Sequence, residues 1–145
     1  MSNDCKSDLD MNRQMRSIYG RGNIIISNFK HCTVPVKTQL FKTFCCNFYV
    51  DHFWHSFKKC SYNKIKVAFK KIYRHLMNLD RCSSITSHMV NLNIDSFDVL
   101  LRKSVYNFQE RLLLSGNGII SAIVNSMFYI DGALYARWLN TLFAL

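Results

Sequence analysis

Little in this chain of 145 residues interrupts a helix: proline occurs once, at Pro35, and glycine only five times. No segment alternates apolar and polar residues at period two, so no strand competes with a helical reading. Long apolar runs are also missing. None approaches the roughly 18 residues a membrane-spanning helix needs, and the opening "MSNDCKSDLDMN" lacks an apolar leader core. These absences predict an intracellular protein, cytoplasmic or nuclear, neither secreted nor placed in a membrane. The six cysteines show no CxxC pair and no regular spacing, and in such a compartment reduced thiols are expected rather than disulfides.

Acidic residues are scarce as well, nine against nineteen Lys and Arg, for a net charge of +10. The excess is local. Between Lys58 and Arg81 the chain carries Lys58, Lys59, Lys64, Lys66, Lys70, Lys71, Arg74 and Arg81 against Asp80 alone. From Asp95 onward Arg102, Lys103, Arg111 and Arg137 are balanced by Asp95, Asp98, Glu110 and Asp131. A basic middle beside a neutral last third points to an anionic partner lying against the middle.

What is present reads as helices. Met11, Met15, Ile18, Gly22, Ile25 or Ile26, and Phe29 recur at helical spacing, predicting a first helix from Ser7, with Asp10 closing a weak capping box, to about His31. Arg13, Arg16 and Arg21 lie off that stripe. Thr33 caps a second helix whose first turn accommodates Pro35, with Val36, Leu40, Phe44 and Phe48 expected inside. A third helix over 61–79 buries Ile65, Ala68 or Phe69, Ile72, Leu76 and Leu79. Lys66, Lys70 and Arg74 then align at i, i+4 on its outer side, and such a row of like charges calls for a counter-charge. A short helix is expected over Ile85 to Asn91. Another, capped by Asp95, should bury Phe97, Leu101, Val105, Phe108 and Leu112 and stop at Gly116. Ile119 to Ser126 and Ala133 to Phe143 follow.

Candidate chemistry is sparse. "GRGN", Gly20 to Asn23, has neither the Lys-Ser/Thr of a phosphate loop nor a preceding strand. Gly22 falls on the buried stripe instead, where a missing side chain lets a second helix come close. Cys45, His52, His55 and Cys60 offer four possible zinc ligands without a regular zinc spacing, in a segment aromatic enough to be core. No nucleophile stands beside a recognisable orienting group and oxyanion glycine. Neither a catalytic residue, nor a metal site, nor a cofactor, nor a small-molecule substrate is predicted.

The stretch "DLDMNRQMRSIYGRGNIIISNFKHCTVPVKTQLFKTFCCNFYVDHFW" resembles the segment that follows the palm in reverse transcriptases of LINE-type, non-LTR retrotransposons. The family pattern is close to D-I-x-R-Q-x-R-x-L-Y-x-x-G-N, followed by R-x-F-x-x-C-S-x-x-V-K-x-x-L-F-x-x-Y-C. Asp10, Arg13, Gln14, Arg16, Tyr19, Gly22 and Asn23 occupy the first part, and Phe29, Cys32, Val36, Lys37, Leu40, Phe41 and Cys45 the second. "KIKVAFKKIYRHLMNL" and "SSITSHMVNLNIDSFDVLLRKSVYNF" are similar to the blocks that come next, so the likeness spans about residues 8 to 126. Departures are Thr33 for Ser, Phe44 for Tyr and Asn28 for Arg.

The resemblance implies an all-α fold, a small irregular bundle of about five to seven helices. After a polar tail over 1–7, residues 8–145 would form one thumb-like domain: a helix pair over about 8–57, the basic helix over 61–79 and C-terminal helices over 85–143. A thumb clamps template and primer through their backbones, which implies weak, sequence-independent binding of RNA or DNA by Lys59, Lys64, Lys66, Lys70, Lys71 and Arg74, with Arg13 and Arg16. The Tyr/Phe-Ala-Asp-Asp hairpin of the palm is absent from the sequence. Polymerisation by this chain alone is therefore not expected, since phosphoryl transfer there needs metal-binding aspartates. The alternative is a remnant without biochemical role, or a helical module whose basic face meets a protein.

Overall fold

The computed structural model describes residues 4–48 and 59–143. The fold is all-α: among the described residues there are eight helices and no strand. They are α1 (Asp4–Asn28), α2 (Val34–Cys45), α3 (Lys59–Leu76), α4 (Ile85–Asn91), α5 (Phe97–Leu113), α6 (Gly118–Val124), α7 (Met127–Ile130) and α8 (Ala133–Phe143). No helix among the described residues is long and apolar enough to cross a membrane. The chain forms two compact units, residues 4–48 with 59–98, and residues 99–143.

In the first unit α3 is the central element, packed against both α1 and α2. Its apolar stripe is wide: Ile65, Ala68, Phe69, Ile72, Tyr73 and Leu76 are all buried. α1 answers with Met11, Gln14, Ile18, Gly22 and Ile25 on one face. Met15 is only half-buried, and Phe29, one residue past the end of the helix, is exposed; α1 runs from Asp4 to Asn28, starting three residues before Ser7 and ending three before His31. Ser7 and Asp10 thus lie within the helix, so Ser7 is not its cap.

The inward face of α2 differs from the expected one. Thr33 stands at the N-cap with extended backbone and Pro35 in the first turn, but its side chain makes no capping hydrogen bond. Yet Thr38, Phe41 and Cys45 are buried, while Val36 and Phe44 are exposed and Leu40 is half-buried. The helix is apolar on several sides, and its partner decides which side turns inward. Phe41 meets Phe69 and Tyr73 of α3, each with ring centroids 5.1 Å apart and inclined, an arrangement favoured by the ring quadrupoles. Phe48 and Phe97 extend this aromatic core, their rings edge-to-face at 5.2 Å.

Two asparagines turn the chain back where glycine is missing. Asn78 and Asn93 have φ of 52° and 51°, the left-handed conformation that Asn tolerates better than most residues. After α3, Asn78 N–H donates to the His75 carbonyl and Leu79 N–H to that of Arg74, at 3.2 and 3.0 Å. After α4, Asn93 N–H donates to Val90 and Ile94 N–H to Met89, at 3.0 and 2.8 Å. These paired bonds satisfy the last carbonyls and end each helix with an apolar residue, Leu79 or Ile94, folding back. α3 therefore stops at Leu76, three residues before its expected end. α5 begins at Phe97, so Ser96 and not Asp95 stands next to its first turn.

In the second unit α6 contacts α7 and α7 contacts α8. α7 adds a helical turn where a loop was expected, because Ser126 accepts a hydrogen bond from the Tyr129 N–H at 3.3 Å and caps it. Trp138 of α8 donates its Nε1 to the Val105 carbonyl of α5 at 3.2 Å. Leu101 and Val105 are buried, while Phe108 and Leu112 are half-buried.

Candidate nucleic-acid interface

The amphipathic pattern of α3 sets the site. With Ile65, Phe69 and Ile72 turned inward, the lysines and Arg74 are carried to the opposite side, and the reversal at Asn78 brings residues 80–86 back alongside them. Lys70, Lys71 and Arg74 then form one wall of a recess of about 440 Å³ whose other wall is Ser83, Ser84, Ile85 and Thr86. Among the described residues no carboxylate lines it. A second recess, of about 540 Å³, shares Lys71 and Arg74 and adds His75, Leu79, Asp80 and Arg81.

Arg74 lies between the two and is half-buried. Its Nη2 donates to the Ser83 carbonyl at 3.5 Å, the outer limit of a hydrogen bond. Its Nε is buried and has no hydrogen-bond partner. Ser84, by contrast, is engaged: as N-cap of α4 its Oγ accepts from the Ser87 N–H at 3.3 Å.

The counter-charge for the cation row is Asp98, at the start of α5. Lys66 Nζ lies 2.6 Å from Asp98 Oδ2, and Tyr62 donates its hydroxyl to Oδ1. Burial pushes the Asp98 carboxyl up, but the hydrogen bonds from Lys66 and Tyr62 and the charges of Lys66 and Lys70 outweigh it and hold the group below its ordinary value. Lys66 is thereby committed within the first unit. The row of three expected to face an outside anion is reduced to Lys70 and Arg74, joined by Lys71 from the adjacent row.

The remaining cations are dispersed. Lys64 is exposed on α3, and the Lys59 side chain lies outside the described residues, as does Lys58. Arg13 and Arg16 are exposed on α1, and Arg13 has Asp10 at 3.9 Å. Neither lines either recess. Arg21 turns inward: Nη1 donates to the Asn47 carbonyl at 3.2 Å and Nε to that of Ser17 at 3.3 Å, tying α1 to the end of α2. Ser83, Thr86 and Asp98 had no signal of their own in the sequence, being a loop, a helix start and one carboxylate among four in a neutral segment.

The possible zinc set is not assembled among the described residues. Cys45 is buried and Cys60 is exposed, and no group of three or more potential ligands occurs there. His52 and His55 lie outside the described residues. Burial pushes the Cys45 thiol up to about 11, against the lowering influence of Arg21. Cys46 is pushed up to about 12 by burial, with Cys45 and Asp95 adding to it and Lys42 opposing. Such thiols are poor ligands and poor nucleophiles near neutral pH.

Comparison of the chain with protein-family models, with curated proteins and with solved structures finds no match.

Proposed function

We propose that this chain is a thumb-like helical module that holds RNA or DNA by its backbone, without reading sequence and without catalysing polymerisation itself. The observation that carries the reading is the recess on α3, where Lys70, Lys71 and Arg74 meet hydroxyl side chains and no carboxylate. Cations placed this way neutralise phosphates and release counterions, which makes binding strong at low salt and indifferent to base identity. The net charge of +10 and its concentration around α3 support the same partner. So does the likeness of residues 8 to 126 to the post-palm segment of non-LTR retrotransposon reverse transcriptases.

The test is duplex binding by fluorescence anisotropy over a series of salt concentrations. Log affinity should fall linearly with log salt, and Lys70→Gln, Lys71→Gln and Arg74→Gln together should flatten the slope by about 0.7 to 0.9 for each phosphate that is no longer neutralised. Arg13→Gln with Arg16→Gln should change it less. Equal losses from both sets of variants would mean that bulk charge alone attracts the duplex. No binding by the parent at low salt would sink the reading.

A second reading, a protein-interaction module, is favoured by Leu114, Phe128 and Phe143 of the second unit, which are 83%, 94% and 74% exposed. Exposed apolar side chains mark an interaction surface where they form one contiguous patch that a partner covers.

A further inference from the structure

Resting on the second reading, and independent of the α3 recess, we infer that the outer side of α6 and α7 is the surface through which two copies of this chain pair. The inner side of this unit is already fixed. Trp138 donates to the Val105 carbonyl, the rings of Tyr129, Tyr135 and Trp138 follow one another at centroid spacings of 5.7 Å, and Ile120 and Val124 of α6 are half-buried. Left outside are Ile119 and Ile123, one turn apart on α6, with Met127 and Phe128 on α7, which α6 contacts. They are 73%, 55%, 73% and 94% exposed.

Such a surface costs stability while it stays in water. Neither α6 nor α7 has a buried residue, and no described residue after Val105 is buried. Helices of seven and four residues do not persist on their own hydrogen bonds. They draw their stability from apolar contacts, and the contacts within the unit leave their most apolar side uncovered.

Charge selects the occupant. From Leu112 to Ala136 the one charged side chain is Asp131, in a chain whose net charge is +10. Two such chains repel each other where their cations meet, and this is the stretch from which cations are missing. A nucleic acid or an acidic protein is drawn instead to the Lys and Arg of α3 and finds no cation here. An apolar, uncharged face is complementary to itself, which is what a twofold interface requires.

The area agrees. At about 200 Å² for an aromatic side chain and roughly 100 Å² for an aliphatic one, Ile119, Ile123, Met127 and Phe128 with Leu114 and Phe143 expose on the order of 600 Å² of apolar surface. A stable dimer buries about 800 Å² per copy, of which roughly 65% is apolar in homodimers.

The test is sedimentation velocity of the full chain over roughly a hundredfold range of concentration, after nuclease treatment and in about 0.5 M salt, where association through charge is screened. The parent should pass from one copy to two and stop there, and its melting midpoint should rise with protein concentration, as mass action requires of a dimer. Phe128→Asp should weaken pairing by about a hundredfold. Val90→Asp, at a 66% exposed apolar position on α4 of the first unit, should leave pairing unchanged. Circular dichroism reports whether each variant keeps its helices; should Phe128→Asp lose them, the concentration dependence of the parent's midpoint decides alone.

A parent that stays single at every concentration overturns the inference. A hydrophobic dye then tells the two readings apart: dye bound by the parent and lost in Phe128→Asp leaves the interaction reading with a different partner, and no dye bound overturns that reading as well. Pairing lost in Val90→Asp and kept in Phe128→Asp, or growth past two copies without limit, also overturns pairing at α6 and α7. So does binding of a single parent chain to neutral phosphatidylcholine vesicles that Phe128→Asp abolishes, which makes lipid the occupant.

Discussion

Gly22 of α1 lies directly against Ile72 of α3: a Cβ at Gly22 would come within 2.5 Å of Ile72 Cγ2 and 2.8 Å of its Cδ1. Cγ2 sits on the branched Cβ of a side chain that is itself buried, so it has no free rotation with which to withdraw. The missing side chain therefore sets how closely the two longest helices of the first unit approach. At Gly20 a Cβ would meet nothing within 4 Å.

From this contact, Gly22→Leu should lower stability by about 1 to 3 kcal/mol through overpacking, despite the better helix propensity of Leu. Gly20→Ala should be stabilising by up to about 1 kcal/mol. Gly22→Ala combined with Ile72→Ala should cost less than the two single changes added together, because each relieves the other. Urea denaturation midpoints read all of these. Equal tolerance of Leu at both glycines would show that α1 and α3 are not packed at this point.

The Lys66–Asp98 pair should give the fold an acid-sensitive component. Because the folded Asp98 carboxyl is held below its unfolded value of 3.8, the stability it contributes is complete above that pH and is lost as pH falls through the lower, folded value. Both side chains are about one-third exposed, 32% and 36%, which keeps the contribution in the range of partly solvated pairs, about 0.2 to 1 kcal/mol. Asp98→Asn should therefore destabilise at pH 7 and cost less near pH 2. Denaturation curves at the two pH values that show the same cost would mean that packing, and not charge, is what the substitution removes.

At Asn78 the left-handed backbone makes a prediction about substitution. Asn78→Ala should cost about 1 kcal/mol, since a Cβ without a compensating polar group pays the full penalty of that conformation. Asn78→Gly should be neutral or stabilising. Because the turn also places Asp80 to Thr86 against Arg74, Asn78→Ala should weaken duplex binding more than its effect on stability explains. Thermal melts and anisotropy on the same samples separate the two effects.

The cysteines should divide by environment. Cys60 and Cys82 are exposed and should react with a maleimide at pH 7.5, while Cys45 and Cys46, pushed up to about 11 and about 12, should react only after denaturant is added. Peptide mass mapping identifies which thiols are modified. The same shifts imply loss of stability in alkali: with Tyr73 pushed up to about 12 by burial, these three groups favour the folded state fully below pH 9 and lose that contribution as pH rises toward 12. A flat stability profile from pH 9 to 12 would contradict it.

The helical character of the chain was legible from its sequence alone, because breakers are few and each helix carries its own periodicity within four residues. α4 and α8 lie where their residues predict, α3 shows its stripe, and Gly22 could be read as a close approach from its place on the face of α1. Which face of α2 turns inward was not legible. Val36, Leu40 and Phe44 fit helical spacing as well as Thr38, Phe41 and Cys45, and only the rings of Phe69 and Tyr73 on α3 choose between them. The basic face needed the tertiary structure for the same reason. The row of Lys66, Lys70 and Arg74 is local, and its need for a counter-charge follows from like-charge repulsion. That the counter-charge is Asp98, held by Tyr62 from a position 36 residues earlier, depends on the chain returning to α3. Periodicity reports what lies within one or two turns; folding brings distant residues together, and that is what removed Lys66 and Arg21 from the outer face and placed Arg74 at a recess.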